Sequence, residues 1–192
     1  MLFRSLPPGL SPEARRAIER RVAPEKDVDG FLPQSQGHLL LGEPGFVPCT
    51  PAGCMRLLAE AEISPRGRHA VVIGRSNIVG KPMALLLLAA DATVTIAHSR
   101  TPDLPAVVRG ADIVVAAVGV PGILRPEHFR AGSVVIGAGV RYEGRKVLPD
   151  VDESCADVAG WITPRVGGVG PTTIAMLFRN TVEIAERRLG IT

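Results

Sequence analysis

His69-Ala70-Val71-Val72-Ile73-Gly74-Arg75-Ser76-Asn77-Ile78-Val79-Gly80-Lys81-Pro82 is the stretch on which the fold turns. An apolar, β-branched run ends at Gly74 and predicts a buried parallel strand. A helix is predicted from Gly80 to Ala90, with Pro82 in its first turn, where a missing N–H costs nothing. Between them, glycines let the backbone approach a phosphate, and the helix N-terminus offers N–H groups and the positive end of its dipole. The spacing is not G-x-G-x-x-G, so the glycines alone leave a plain packing turn as open a reading as a phosphate loop.

Downstream the strand–helix rhythm continues. Strands are expected at Ala92 to Ala97, Ile113 to Val118, Ser133 to Gly137 and, as a short fifth, Trp161 to Thr163. A short helix fits Leu104 to Arg109, and a long one closes the chain from Thr172 to Leu189. Strands separated by helices imply right-handed crossovers, hence an α/β, Rossmann-type, doubly wound parallel sheet.

The first 60 residues do not share this rhythm. Ser11-Pro12-Glu13 starts a helix with a capping Ser, and Thr50-Pro51 starts another that runs through Leu57 and Leu58. Pro24 to Pro48 is rich in Pro and Gly and is expected to be irregular. This segment is expected to be the remnant of an N-terminal α/β domain. The expected division is residues 1–48 as that remnant, 49–170 as the nucleotide-binding domain, and 171–192 as a C-terminal helix returning to the first.

Composition narrows the classes further. The chain has 192 residues, 46% hydrophobic and 21% charged, with 22 Lys+Arg against 19 Asp+Glu. A mean hydropathy of +0.22 excludes a disordered chain, and so mixed a composition excludes a nucleic-acid-binding tail. Only Lys26, Lys81 and Lys146 are lysines, so lysine chemistry has few candidates. Cys49, Cys54 and Cys155 are odd in number and lack metal-ligand spacing, which favours reduced buried thiols and no metal. The start has no long apolar core, and the apolar run Met83 to Ala90 is far below the roughly 20 residues of a membrane span. A cytoplasmic protein without nucleic-acid or membrane partners is the expectation.

The end of the second strand bears on cofactor choice. An NAD-binding fold of this type carries an acid there for the ribose hydroxyl. Here the chain reads Ile96-Ala97-His98-Ser99-Arg100-Thr101. A hydroxyl and a guanidinium suit a 2′-phosphate, with Arg75 reaching from the first turn, so NADP is favoured over NAD.

Three stretches then carry a resemblance: Lys26-Asp27-Val28-Asp29-Gly30-Phe31 leading to Phe46-Val47-Pro48-Cys49-Thr50-Pro51-Ala52-Gly53; Gly74-Arg75-Ser76 through Val79-Gly80-Lys81-Pro82; and Gly167-Gly168-Val169-Gly170-Pro171. Together they resemble the bifunctional methylenetetrahydrofolate dehydrogenase/cyclohydrolase family of one-carbon metabolism. That resemblance implies oxidation of 5,10-methylenetetrahydrofolate with NAD(P), hydrolysis of the methenyl product to 10-formyltetrahydrofolate, and a homodimer. It implies that Gly74, Arg75 and Ser76 line the cofactor, that Ser99 and Arg100 flank its 2′-phosphate, and that Val140 meets the nicotinamide through its backbone. Asp29 would hold the pterin, and Gly167, Gly168 and Pro171 would close around folate.

The departures are equally specific. The family's first-domain Tyr-x-x-x-Lys helix has no counterpart: the single Tyr is Tyr142, and although Lys146 follows it by four residues, the pair stands far downstream, in the nucleotide-binding half. Leu6-Pro7-Pro8 matches only the end of a family Gln-Leu-Pro-Leu-Pro segment. Gly137-Ala138-Gly139 stands where the family usually reads Asp-Val-Gly, Val166 and Thr172 replace its usual Pro and Met, and Ser35 takes an Asn-type position. The expectation is that hydrolysis is lost and oxidation impaired in this chain alone. The alternative is a non-catalytic NADP-binding and dimerisation module. Either way, apolar helix faces are expected to be exposed on Ala14 to Val22, Thr50 to Ala61 and Thr172 to Leu189.

Overall fold

A computed structural model describes residues 9–144 and 146–191. The resemblance at Leu6-Pro7-Pro8 lies outside the described residues. The sheet has five parallel strands: β1 (His69–Ile73), β2 (Thr93–Ala97), β3 (Ile113–Ala116), β4 (Val134–Gly137) and β7 (Trp161–Ile162), in the order β2-β1-β3-β4-β7. The predicted strands are all present, β1 with the expected bounds and the other four shortened by a residue or two.

Side chains alternate across the sheet, which gives it two cores. Ala70, Val72, Ile113, Val115, Val134 and Ile136 face one side, against Cys54 and Leu58 of α3 (Cys49–Glu60) and Met83 and Leu87 of α4 (Gly80–Ala89). Val71, Ile73, Val114, Ala116 and Val135 face the other, against Val108 of α5 (Leu104–Arg109) with Leu124, Phe129 and Cys155. Both faces of the central strands are therefore dry, which is why their sequences are continuously apolar. Each fully buried Val, Ile or Leu contributes about 1.5–3 kcal/mol.

The N-terminal third holds α1 (Pro12–Glu19) and α2 (Pro33–Leu41) ahead of α3. The segment expected to be irregular thus contains a helix. Pro33 occupies its first turn and Gly42, at φ +71°, closes it in the left-handed conformation. The capping residues are visible in the sequence, but the polar, Gly-containing helix carries little periodic apolar signal.

The last helix, α6 (Val169–Leu189), begins three residues before the expected Thr172 and packs along α3. At their crossing, a Cβ on Gly53 would lie 2.9 Å from Thr172 Oγ1. The third difference from expectation is a two-stranded antiparallel hairpin, β5 (Val140–Glu143) with β6 (Lys146–Pro149), standing off the sheet. All four residues of β5 are exposed, so the hairpin has no apolar face for a sequence pattern to reveal. Among the described residues no helix is long and apolar enough to cross a membrane, and no cluster of side chains could hold a metal ion.

Candidate functional site

In an open parallel sheet, ligands bind beyond the carboxyl ends of the strands where the strand order reverses. Here β1 has β2 on one side and β3 on the other, so that point lies between the loops after β1 and β3. A cleft of about 410 Å³ opens there, lined by Gly74, Arg75, His98, Ser99, Thr101, Val118 and Val120 among others. Among the described residues, no carboxylate lines it.

The loop after β1 is shaped by backbone contact. Gly74 has φ +122°, and a Cβ there would stand 2.6 Å from the Ala117 carbonyl oxygen. A Cβ on Gly80 would overlap the Gly74 carbonyl. Only glycine fits at both positions. Ser76, expected to line the cofactor, is exposed on this loop, and its Oγ accepts the N–H groups of Val79 at 3.2 Å and Gly80 at 3.3 Å. Its carbonyl accepts the Lys81 N–H at 3.1 Å. The amides of Val79, Gly80 and Lys81, expected to be free for a phosphate, are therefore already paired.

At the end of β2, Thr101 closes the turn: its Oγ1 accepts the His98 N–H at 2.9 Å, and its own N–H donates to the His98 carbonyl at 2.8 Å. Ser99 is exposed and lines the cleft with Arg75. Arg100 is exposed on the same turn but is not part of the cleft wall; its N–H donates to His98 Nδ1 at 3.1 Å. Val140 opens β5 and borders a smaller cavity of about 230 Å³ with Gly137, Thr163 and Arg165. A Cβ on Gly137 would lie in ordinary contact with Val151 Cγ2 at 3.5 Å and Thr163 Oγ1 at 3.7 Å, and Thr163 Oγ1 accepts the Gly137 N–H at 2.8 Å.

Asp29 belongs to a different cavity, of about 690 Å³, which it lines with Lys26, Asp27, Phe31, Leu177 and Thr181. Its Oδ1 accepts the Cys49 N–H at 3.4 Å. Two groups that sequence reading did not single out hold it there. Buried Asp27 accepts the N–H groups of Phe31 (3.2 Å) and Leu32 (2.9 Å) and the Ser35 hydroxyl (2.6 Å). Buried Asn180, on α6, donates to the Val28 carbonyl at 2.9 Å. Ser35 thus locks the loop and does not face the cavity. The turn before α6 has Gly167 at φ +84° and Gly168 buried against the Pro164 carbonyl, and Pro171 is exposed in the helix's first turn. The structure therefore gathers Gly74, Arg75 and Ser99 in one cleft and Asp29 in another, with no lining residue in common.

The thiols take no part in either. All three are buried and unbridged; burial pushes the Cys54 thiol up to about 12 and, as the largest cause, the Cys155 thiol up to about 11.

Comparison with known proteins agrees with this geometry. The bifunctional protein FolD 1 of Salinispora tropica is 59% identical over 168 residues, covering 85% of this chain and 55% of its own length. The crystal structure of the bifunctional FolD dehydrogenase/cyclohydrolase of Campylobacter jejuni superimposes with a TM-score of 0.89 at 45% identity, covering 95% of this chain and 65% of that one. The FolD of Trypanosoma brucei, solved with NADP cofactor and inhibitor, gives 0.87 at 38% identity, covering 96% and 65%. This chain thus spans between just over half and about two thirds of the length of these relatives. Residues 48–189 match the tetrahydrofolate dehydrogenase/cyclohydrolase NAD(P)-binding domain, and the chain belongs to that family.

Proposed function

We propose that this chain binds NADP, and that it is the cofactor-holding part of an enzyme that oxidises 5,10-methylenetetrahydrofolate to the methenyl compound and hydrolyses that to 10-formyltetrahydrofolate. The observation that carries the reading is the acid-free cleft in which Arg75 and Ser99 converge beside Gly74. A carboxylate there would repel a 2′-phosphate, whereas a guanidinium pairs with one through two parallel hydrogen bonds. Arg100 adds positive charge at the rim, Gly74 and Ser76 shape the approach to the pyrophosphate, and the Val140 backbone faces the nicotinamide. Asp29 accepts the amino-amide edge of the pterin, with Gly167, Gly168 and Pro171 beside it.

NADP⁺ supplies the hydride acceptor. The substrate's own nitrogens stabilise the cation left behind, so the protein's contribution to oxidation is to fix the carbon against the cofactor. Hydrolysis needs more, because protons must move through a group tuned near neutral pH, an effect of about 10²–10⁴-fold. The one Tyr-x-x-x-Lys spacing, Tyr142 to Lys146, falls across the β5–β6 hairpin and not on a helix, and neither Lys26 nor Lys81 has a Tyr four residues before it. In this chain alone, hydrolysis is therefore lost and oxidation is well below that of a longer relative. The division into 1–48, 49–170 and 171–192, a homodimer and a cytoplasmic site of action belong to the same reading.

That the Tyr142–Lys146 pair lies in a hairpin and not on a helix also favours a second reading, a non-catalytic NADP-binding and dimerisation module. Two measurements on the purified chain separate the cases. Calorimetric titration is expected to give tighter binding of NADP⁺ than of NAD⁺; equal affinities would sink the cofactor assignment. NADPH formation from 5,10-methylenetetrahydrofolate is expected to be slow. Turnover equal to that of a full-length relative would overturn the impairment, and none at all would leave the binding module.

A further inference from the structure

Asp150 is fully buried, yet no cation faces it among the described residues. Its Oδ2 accepts two consecutive backbone N–H groups, Val118 at 2.7 Å and Gly119 at 3.1 Å. Two successive amides converging on one oxygen form a concavity suited to an anion, and Gly119, at φ +71°, supplies the left-handed residue such a turn requires. The anion seated in it is this chain's own carboxylate. The other oxygen, Oδ1, is buried without a partner. Burying a carboxylate so incompletely satisfied is costly, so the loop contact is the feature that offsets it.

The same residue reaches a second loop. Its N–H donates to the Gly139 carbonyl at 3.1 Å, and its carbonyl accepts the Leu124 N–H at 3.1 Å. The carboxylate lies flat against Gly139, where a Cβ would sit 2.5 Å from the Asp150 Cγ. Val118 and Val120 wall the cleft that holds Arg75 and Ser99, and Gly139 precedes Val140. One side chain therefore fixes the loop after β3 relative to the loop after β4.

We propose that Asp150 is a positioning residue for the nucleotide. By filling the Val118–Gly119 amide concavity, it holds one wall of the cofactor cleft at the distance that the loop after β1 requires. The inference rests on the NADP-binding reading above. Removal of the carboxylate leaves two buried N–H groups free to turn the loop, so cofactor affinity falls although no cofactor contact has been deleted.

The test is calorimetric NADP⁺ titration of the wild type and of Asp150→Leu, Asp150→Asn and Gly139→Ala, with amide hydrogen exchange followed at Val118 and Gly119. Asp150→Leu should weaken binding about tenfold and speed exchange at both amides. Asp150→Asn retains an acceptor oxygen and should stay within about threefold of the wild type. Gly139→Ala keeps the carboxylate but displaces it, and should match Asp150→Leu; it carries the test if the leucine variant does not fold. Wild-type affinity in both Asp150→Leu and Gly139→Ala, or equal losses in the asparagine and leucine variants, would overturn the positioning role while leaving the cofactor reading intact. Failure of the wild type to bind NADP⁺ would remove both.

Discussion

Gly74 and Gly80 touch backbone to backbone, so that a Cβ on Gly80 would overlap the Gly74 carbonyl and lie 2.8 Å from the Arg75 nitrogen. The strand β1 and the helix α4 are thus joined at the closest approach their chains allow. Gly80→Ala should destabilise the fold by about 1–3 kcal/mol, because the obstructing atoms are backbone and cannot rotate away. It should also push the Arg75 segment outward and weaken NADP⁺ binding. Denaturant unfolding and cofactor titration check the two effects separately, and an alanine variant as stable as the wild type would contradict the contact.

Asp112 gives an acid-sensitive contribution to stability. Its Oδ2 accepts the His69 N–H at 2.8 Å and its Oδ1 pairs with Arg130. The His69 hydrogen bond, with Arg130 and Arg68 adding to it against some burial, holds its carboxyl below the usual Asp value. A lowered folded-state pKa means that the unfolded chain takes up the proton more readily. The stabilisation is therefore full above the ordinary Asp range and is lost as pH falls through the folded-state value. Asp112→Asn should cost on the order of 1 kcal/mol at neutral pH and converge with the wild type in acid. Parallel melting curves across that range would show whether the difference closes.

The thiols should be silent in the folded protein. Cys49, Cys54 and Cys155 are buried, and two have thiols shifted well above neutrality. Iodoacetamide at about pH 8 should label none of them until denaturant is added. Rapid modification of the native chain, read by intact mass, would contradict this.

One helix face should drive association. Ile174, Phe178 and Val182, spaced by one turn along α6, are all more than half exposed, Phe178 at 69%. The expected exposure on α3 is not found, because Cys54 and Leu58 point into the core and none of its large apolar residues is exposed. An apolar row of this kind promotes self-association. Replacing Phe178 and Val182 together by Ser should lower the mass seen by light scattering and leave NADP⁺ binding unchanged. A wild-type chain that is already monomeric at high concentration would refute it.

The sequence made the sheet legible because both faces of its central strands are buried, leaving runs such as Ala70-Val71-Val72-Ile73 with no polar interruption. The cleft was legible in part. Gly74, Arg75 and Ser99 come together in one cleft, since the glycine and the strand ends fix where those residues must stand. Ser76 is different: a hydroxyl at a helix start can face a ligand or cap the helix, and the choice depends on a rotamer that no spacing encodes. Asp150 and Asn180 were illegible for a related reason. Their partners are backbone groups distant in sequence, such as Val118 for Asp150 and Val28 for Asn180. Nothing in the type of the partner residue announces a backbone hydrogen bond.

The Asp150 N–H to Gly139 carbonyl bond has a consequence for length. It closes the base of the β5–β6 hairpin, whose inner strand is half-buried from Val147 to Pro149, so the hairpin is anchored at its base and along one strand but not at its tip. Its outer strand is exposed throughout, and its tip at Gly144 touches nothing that a Cβ would meet. Insertions and deletions at that tip should therefore be invisible to the crevice. The hairpin is the natural point at which to graft a tag, a reporter or a binding loop onto this scaffold.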